Sequence, residues 1–319
     1  MKRRNFIKSA AIVAPAISLF PADLSAIIRE SAPGKIEKRS LGKTGKMLSV
    51  IGFGGIVVRG ATPEQASQRV KEAIDAGINY FDVAPSYGDA EAKLGPALEP
   101  YRKDVFLACK TQGRTKAESR AELEESLKRA RTDHFDLYQF HAVNTVEDVK
   151  TILGPGGAME TFLEARKEGK IRLIGFSAHA VESALALIEG FDFDTILFPI
   201  NYVTWNAGDF GPQVLEKAKQ KKMGILALKA GVKGPWPQGA ARKKYPKCWY
   251  EPLTTPEDIR MGFRFTLSHP VTAAIPPGDE NLFKIAMQEA GNITPLNKDE
   301  VDSIKRKGLA GTPLFKFQA

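Results

Sequence analysis

The sequence predicts an α/β fold, a (β/α)8 TIM barrel with an N-terminal β-hairpin and a long loop after the seventh strand. After residue 35, eight short apolar runs alternate with segments of helical spacing. The runs are continuously apolar, which is typical of parallel strands that are buried on both faces. Eight such units in a chain of 319 residues favour a closed barrel over an open sheet. We therefore expect a single barrel domain over residues 35–319.

Local signals predict the first elements. Residues 35–45 alternate and are interrupted by two glycines, which predicts a hairpin. Residues 47–55, MLSVIGFGG, are an apolar run closed by glycines and predict the first strand. Thr62 is followed at once by proline and three positions later by glutamine, which is the pattern of a helix start.

The other units repeat this alternation. Further strands are predicted at 78–82, 105–110, 135–143, 171–177, 195–200, 225–231 and 271–278. Helices are predicted at 62–77, 91–99, 117–131, 146–153, 158–170, 181–190, 211–224, 255–268 and 280–290, with one more in the tail. Residues 232–255 form an insertion after the seventh strand, so we expect them to overhang one end of the barrel.

The first thirty residues predict a signal peptide. A basic start precedes an apolar stretch, 10–20, that is too short to span a bilayer. The run Arg3-Arg4-Asn5-Phe6-Ile7-Lys8 resembles a twin-arginine signal. It predicts that the twin-arginine machinery exports the protein to the periplasm and that the mature chain does not span the membrane. The alternative is a basic amphipathic helix on a cytoplasmic protein.

Composition excludes several classes of function. The net charge is +9, but residues 1–39 carry +5 of it, so the basic character is no footprint of nucleic-acid binding. The chain has two cysteines and no CxxC motif, and its four histidines show no ligand spacing, so we expect no metal site. Cys109 lies in an apolar run and is predicted to be buried.

Ionisable side chains follow three successive predicted strands at their carboxyl ends. Asp82 ends the second strand and Tyr87 follows in its loop, while Lys110 ends the third strand and His141 the fourth. In a barrel these ends converge on one mouth. Taken singly, Asp82 could cap a turn, Lys110 could be solvated and His141 could be a core histidine. All four at consecutive strand ends predict an active site.

The four groups suit proton transfer to a carbonyl oxygen. A phenol ionises near pH 10, and a nearby ammonium favours its phenolate form and lowers that pKa. A carboxylate beside Lys110 would keep the lysine charged, and an imidazole at His141 could orient a carbonyl group. The set offers no obvious nucleophile for acyl transfer.

Seven stretches of the chain together resemble the aldo-keto reductases over nearly all of the sequence after residue 35. They are GFGG (52–55), FDVAPSYG (81–88), LACKTQ (107–112), LYQFHA (137–142), IRLIGFS (171–177), ILALKAG (225–231) and AAIPPG (273–278). The resemblance implies an NAD(P)H-dependent oxidoreductase that reduces aldehydes or ketones, or oxidises the alcohols. It also implies that Asp82, Tyr87, Lys110 and His141 form the catalytic tetrad, with Tyr87 as general acid.

The same resemblance implies contacts to a nicotinamide dinucleotide held in the barrel mouth. They fall on Ser177, Asn201, Leu228, Lys229, Gly231, Lys233 and Gly278. Ser177 matches the position that contacts the carboxamide, but the family's following asparagine is Ala178 here, and its usual glutamine is Leu197. The cofactor implied is NADP, with NAD as the alternative, because the basic residues usual near the 2′-phosphate are missing except Lys284.

Three tryptophans are candidates for substrate contact. Trp236 and Trp249 lie in the insertion, and Trp205 follows the sixth strand. Their rings could bind a sugar-like substrate, or they could pack on the barrel while the basic loop is solvated.

Two other classes of function stay open. One is a nucleotide-binding scaffold without turnover. The other is a lyase or isomerase that acts on a sugar with Tyr87 and Lys110 as acid and base.

Overall fold

The fold is that of a computed structural model, which describes residues 29–30, 35–240 and 242–317. Most of the predicted signal segment, 1–28, lies outside the described residues. Its last two residues, Arg29–Glu30 (β1), pair antiparallel with the hairpin strand Lys38–Ser40 (β2).

Eight parallel strands form one sheet that follows chain order from the first to the last. They are Phe53–Gly54 (β4), Tyr80–Asp82 (β5), Phe106–Thr111 (β6), Phe135–Val143 (β7), Ile171–Ala178 (β8), Thr195–Pro199 (β9), Gly224–Leu228 (β10) and Ala273–Ala274 (β13). A parallel bridge between Ile51 and Ala274 joins the two edges. In it Ala274 N donates to Val50 O at 2.9 Å and Gly52 N donates to Ala274 O at 3.0 Å. The predicted barrel is thereby confirmed.

Helices cover the outside of the barrel. They are Pro63–Asp75 (α1), Ala90–Leu98 (α2), Lys116–Arg129 (α3), Val146–Leu153 (α4), Ala158–Lys167 (α5), Val181–Gly190 (α6), Tyr202–Gly208 (α7), Pro212–Gln220 (α8), Pro256–Leu267 (α9), Glu280–Glu289 (α10) and Lys298–Ala310 (α11). The predicted start of α1 is a capping box, since Thr62 Oγ1 accepts from Gln65 N and Gln65 Oε1 accepts from Thr62 N. The short helix α7 has no counterpart in the prediction.

The run MLSVIGFGG is not one strand, as the sequence predicted, but two. Met47–Ser49 (β3) pairs antiparallel with β2 in the N-terminal hairpin, and only Phe53–Gly54 enters the barrel. Leu41 and Leu48 of the hairpin are fully buried in one cluster with Tyr80 and Phe106. Tyr80 is the first residue of β5, and Phe106 is the first residue of β6. The hairpin therefore closes the amino-terminal end of the barrel and leaves the carboxyl ends of the strands as the mouth.

The insertion after the seventh strand folds back on itself as a small antiparallel pair, Val232–Gly234 (β11) with Glu251–Pro252 (β12). Lys247 Nζ donates to Val57 O at 3.0 Å. Val57 follows the first barrel strand and the insertion follows the seventh. The bond therefore links the insertion to the loop on the far side of the eighth strand. The insertion thus overhangs the mouth, as predicted.

Within the described residues, no helix combines the length and apolarity needed to cross a membrane.

Candidate active site

The structure brings the four predicted catalytic residues together at the mouth. Asp82 is the last residue of β5, and a 3-10 turn, Pro85–Tyr87, carries the tyrosine back over it. Lys110 lies near the end of the neighbouring strand β6, and His141 lies near the end of β7. Three adjacent strands therefore supply the whole group.

Lys110 connects the acid and the phenol. Its ammonium forms a salt bridge with Asp82 Oδ1, and both side chains are about 1–2% exposed. The same ammonium donates to Tyr87 OH and to Val83 O, each at 3.3 Å. Burial acts to lower the pKa of Lys110, but Asp82 and Tyr87 outweigh it and raise that pKa above the ordinary value. Lys110 is therefore a permanent cation beside the Tyr87 hydroxyl.

Two further residues hold the Asp82 carboxylate. Tyr80 OH donates to Asp82 Oδ2 at 3.2 Å, and Gln139 Nε2 donates to the same oxygen at 3.1 Å. Sequence analysis missed both residues. Each lies two positions before a predicted site residue, Tyr80 before Asp82 and Gln139 before His141, and alternate residues of a strand share one face. This spacing of two residues could have identified Tyr80 and Gln139 as site residues from the sequence.

The phenol and the imidazole meet edge to face. The ring centroids of Tyr87 and His141 are 5.8 Å apart with an interplanar angle of 84°. Burial raises the pKa of Tyr87, and the opposing effect of Lys110 does not cancel it, so the expected lowering of the Tyr87 pKa is wrong. Burial first, and then Lys110, lower the pKa of His141 to about 2. The site thus pairs a neutral phenol with a neutral imidazole.

A distortion of strand β7 fixes the position of His141. The register shifts between Phe140 and Val143, and Ala142 has a φ of 51°, in the left-handed region. Arg114 Nη2 donates to the carbonyl oxygens of His141 and Ala142, at 2.8 and 3.2 Å, while Ala142 N donates to Ser177 Oγ at 2.8 Å. Arg114, which sequence analysis missed, therefore holds the backbone that carries the imidazole.

A cleft opens beside the tetrad. Its walls come from the ends of the first, second, seventh and eighth strands and from the insertion. They are lined by Gly54, Ile56, Asp82, Tyr87, Leu228, Lys229, Lys247, Trp249, Tyr250, Ile275, Pro276 and Gly278. The cleft joins the reacting phenol to four of the residues predicted to contact cofactor or substrate, namely Leu228, Lys229, Gly278 and Trp249.

Comparisons with known proteins identify the family. The family model described as "Aldo/keto reductase family" matches residues 50–248, more than half of the chain. The chain belongs to the aldo/keto reductase family. The Bacillus halodurans aldo-keto reductase, in its holo form, has the same fold: the TM-score is 0.68 with 22% identity, over 88% of this chain and 98% of that one.

Named relatives of this aldo/keto reductase are oxidoreductases. An L-galactose dehydrogenase of Arabidopsis thaliana is 28% identical over 68% of this chain and 70% of its own. A 6-dehydroglucose reductase of Novosphingobium aromaticivorans is 31% identical over 47% of this chain and 54% of its own. An uncharacterized oxidoreductase of Bacillus subtilis is 34% identical over 45% and 49%. The chain thus spans only about half the length of several curated relatives that it matches.

The other predicted contacts of this aldo/keto reductase lie in different settings. Asn201 is fully buried and caps α7, with Oδ1 accepting from Val203 N and Thr204 N, while its Nδ2 has no partner among the described residues. Gly231 is buried against Pro277, where an added Cβ would be 3.0 Å from Cγ. Lys233 is exposed and pairs with Glu251 at 2.7 Å.

The three tryptophans differ in position. Trp249 lines the cleft and is 53% exposed. Trp236 braces the insertion from within, since its Nε1 donates to Cys248 O at 3.0 Å. Trp205 packs against His269, with ring centroids 4.2 Å apart, and against Phe265, so it lies among α7 and α9 and not on the cleft.

The residues present fit a dinucleotide in this mouth. Among the described residues, the buried Asn201 Nδ2 has no acceptor, and Ser177 Oγ accepts one hydrogen bond and has no acceptor for its own proton, which a carboxamide could take up. Leu228 offers an apolar wall for a planar ring. At Gly278 an added Cβ would lie 2.4 Å from Ile56, so only glycine allows the backbone there to border the cleft closely.

No described residues form a group of three or more potential metal ligands. Both cysteines are buried and free.

Proposed function

We propose that this chain is an NAD(P)-dependent oxidoreductase that reduces aldehydes or ketones, or oxidises the corresponding alcohols, with Tyr87 as general acid. The observation that carries the proposal is the hydrogen-bonded series Asp82–Lys110–Tyr87 beside a neutral His141. The relatives named as L-galactose dehydrogenase and 6-dehydroglucose reductase support a hydroxylated, sugar-like substrate.

The chemistry proposed for these side chains is a proton transfer. Tyr87 OH donates its proton to the carbonyl oxygen, and the phenolate that forms lies 3.3 Å from the Lys110 ammonium. Before the transfer Asp82 balances the charge of Lys110, and after it the one ammonium faces two anions, the Asp82 carboxylate and the Tyr87 phenolate. His141, held neutral, donates a hydrogen bond to the same carbonyl oxygen and orients it. A bound nicotinamide ring supplies or accepts the hydride.

The pH profile tests the state of His141. Because its pKa is about 2, the imidazole is neutral across the range from pH 5 to 9, and kcat/KM for reduction should show no inflection near pH 6.5 from this residue. The profile of the wild-type enzyme would be measured beside that of His141→Gln. An acidic limb near pH 6–7 that is present only in the wild type would contradict a neutral His141.

A search for bound nucleotide tests the function itself. The folded protein would be purified and denatured, and any released nucleotide identified by absorbance and mass. We expect NAD(H) or NADP(H), or else micromolar binding of added cofactor followed by turnover of a panel of aldehydes and ketones. If no nicotinamide nucleotide binds, the proposal fails and the lyase or isomerase alternative gains support. Binding without any turnover would favour the scaffold.

The charges after the eighth strand bear on the choice between NAD and NADP. Lys284, the basic residue available for a 2′-phosphate, has its ammonium 3.5 Å from Glu280 Oε1 and 3.8 Å from Glu72 Oε2. A phosphate there would meet two carboxylates, and Glu280 also pairs with Arg69. This arrangement favours NAD, the alternative to the cofactor that the family resemblance implies. Fluorescence titration with NADH and NADPH would measure the preference.

We also propose export through the twin-arginine machinery, on the strength of the run Arg3-Arg4-Asn5-Phe6-Ile7-Lys8. The double substitution Arg3→Lys, Arg4→Lys keeps the charge but removes the paired arginines, so it should retain the full-length protein in the cytoplasm. Cell fractionation with compartment markers would measure this. Wild-type protein found only in the cytoplasm would overturn the export proposal and leave the reductase proposal intact.

A further inference from the structure

The ammonium of Lys229, at the mouth, has no polar partner in the described part of the chain. It makes no hydrogen bond or ion pair with any described residue. Its ammonium lies over two aromatic rings instead, 4.9 Å from the centroid of Trp249 and 4.7 Å from that of Tyr250. The residue has a φ of 71°, in the left-handed region that non-glycine residues rarely adopt. The chain accepts an unfavourable backbone conformation at a residue that presents an unpaired ammonium.

The Lys229 ammonium lies near the reacting groups. Lys229 lines the same cleft as Tyr87 and Asp82. It is close enough to lower the pKa of both His141 and His179, and Lys110 in turn lowers the pKa of Lys229. Lys229 therefore lies on the cleft that holds the reacting groups.

The other cations around the tetrad already have partners. Asp82 pairs with Lys110, and Asp148 lies 3.5 Å from Arg114 Nε. Lys247, which also lines the cleft, donates to the backbone carbonyl of Val57, whereas the Lys229 ammonium has neither a hydrogen bond nor an ion pair among the described residues. A half-buried ammonium without a counterion is a strong attraction for an anion, because the low-dielectric surroundings weaken screening.

A second unsatisfied group lies nearby. His179 follows strand β8, and its buried Nε2 has no hydrogen-bond partner among the described residues. Its ring stacks on Phe315 of the carboxyl-terminal segment, with centroids 5.3 Å apart and planes within 4°. Burial lowers the pKa of His179 to about 4, so the imidazole is neutral and can donate one hydrogen bond. Phe315 also contacts Trp249, which places His179 and Lys229 around one aromatic group.

We propose that Lys229 and His179 form a seat for the carboxylate of the substrate, so that the enzyme acts on carbonyl compounds that bear a carboxylate, or on the matching hydroxy acids. This inference rests on the proposed function and deepens it. Lys229 supplies the charge, and His179 supplies a directional hydrogen bond. Both act as specificity-determining residues and take no part in the proton transfer at Tyr87. The pyrophosphate of a bound dinucleotide is the other possible anion for Lys229, and the experiment below separates the two sources.

The test compares two aldehydes of nearly equal shape, 4-carboxybenzaldehyde and its primary amide, 4-formylbenzamide. The acid-to-amide ratio of kcat/KM is the readout, because losses that come from the cofactor affect both substrates alike and cancel. We expect a ratio of about 10 or more for the wild type. Lys229→Met, which keeps most of the side-chain length, should bring the ratio close to 1, and His179→Phe, which keeps the stack on Phe315, should lower it in part.

Lys244→Met is the matched control. Lys244 lies in the same insertion and also over an aromatic ring, 5.4 Å from the centroid of Tyr245, but it is exposed and does not line the cleft. The variant removes the same charge from the same loop, so its acid-to-amide ratio should equal that of the wild type. A ratio that falls equally in Lys244→Met would show a general charge effect and overturn the proposal.

The pH dependence of the ratio gives a second readout. The titratable groups that face Lys229 are Lys110, His141, His179, Cys248 and Tyr250. Both imidazoles are neutral above pH 5, and burial raises the pKa of the Cys248 thiol to about 11 and that of Tyr250 further. Burial lowers the pKa of Lys229 to about 8. The preference for the acid should therefore be full below pH 7 and decline as the pH rises through 8 and above. A ratio that stays constant up to pH 10 would count against Lys229.

Binding measurements keep this inference separate from the proposed function. Calorimetry with benzoate and benzamide on the cofactor-loaded protein reports the carboxylate seat without turnover. If neither aldehyde is reduced, the proposed function fails, while tighter binding of benzoate than of benzamide would still support the seat. Equal binding or an unchanged ratio in Lys229→Met overturns the inference alone. A loss of NADH affinity in Lys229→Met with the acid-to-amide ratio unchanged would assign Lys229 to the pyrophosphate and likewise overturn it.

Discussion

Replacement of Tyr87 by phenylalanine should lower kcat/KM for carbonyl reduction by about 10²–10⁴-fold and leave the dissociation constant of the nicotinamide cofactor within a factor of about two. The hydroxyl is the one group in the site that can give a proton to a carbonyl oxygen while Lys110, at 3.3 Å, stabilises the oxygen left behind. The ring itself, which lines the cleft and meets His141 edge to face, is kept by phenylalanine. Steady-state kinetics and a fluorescence titration measure the two effects.

Tyr101→Phe is the control for this prediction. Tyr101 ends a 3-10 turn, Glu99–Tyr101, on the outside of the barrel and is only partly buried, so loss of its hydroxyl should not change turnover. The thermal midpoint of Tyr87→Phe should stay close to that of the wild type, because the hydroxyl only accepts one hydrogen bond from an ammonium that has two other partners. Undiminished reduction by Tyr87→Phe would refute the role given to Tyr87 and leave the fold unaffected.

Most of the barrel could be predicted because its signals are local. Continuous apolar runs mark parallel strands, and the capping box at Thr62 fixes the start of α1 within one residue. The run MLSVIGFGG could not be divided from sequence, since both halves are apolar and buried. Its first half packs under the barrel and its second half enters the sheet, and only the distant partner of each half, Arg39 for Leu48 and Phe81 for Phe53, distinguishes them.

The reacting groups could be predicted because a barrel brings strand ends to one place. Once the strands were correctly predicted, Asp82, Lys110 and His141 could be placed together, because all three lie at strand ends. Groups that loops and the end of the chain bring to the site could not be predicted. Arg114 reaches the carbonyl of His141 from a loop, and Phe315 reaches His179 from the end of the chain. Such contacts depend on how loops fold back, which no local pattern records.

The sign of the shift at Tyr87 shows a further limit of sequence reasoning. A lysine beside a phenol lowers the pKa of the phenol, and Lys110 does act in that direction. Burial acts in the opposite direction and is larger, yet the depth of a side chain cannot be known from its neighbours in sequence. The neutral phenol that results is the form that a proton donor needs, so the prediction failed on the balance of the two effects and not on the role.

Replacement of Lys110 by methionine should destabilise the fold by about 3–5 kcal/mol as well as abolish turnover. The change leaves the Asp82 carboxylate about 2% exposed and without a cation, and the two neutral donors that remain, Tyr80 and Gln139, cannot replace the charge. Urea unfolding followed by circular dichroism would give the loss. Lys150→Met is the matched control, because Lys150 and Glu147 form an ion pair in which both side chains are mostly exposed, at 69% and 80%, and such pairs contribute less than about 1 kcal/mol.

A double-mutant cycle separates the stability of the ion pair from its use in catalysis. Asp82→Asn in the Lys110→Met background removes the uncompensated charge and keeps a side chain of the same size, so the double variant should recover much of the free energy of unfolding that the single variant loses. Turnover should not recover, because the ammonium beside the Tyr87 hydroxyl is still absent. Stability regained without activity would mean that the Asp82–Lys110 ion pair is needed to stabilise the Tyr87 phenolate. It would also mean that the fold tolerates two neutral side chains at these positions. Recovery of both would mean that Lys110 acts only by satisfying Asp82, and the proton-transfer role would have to be assigned elsewhere.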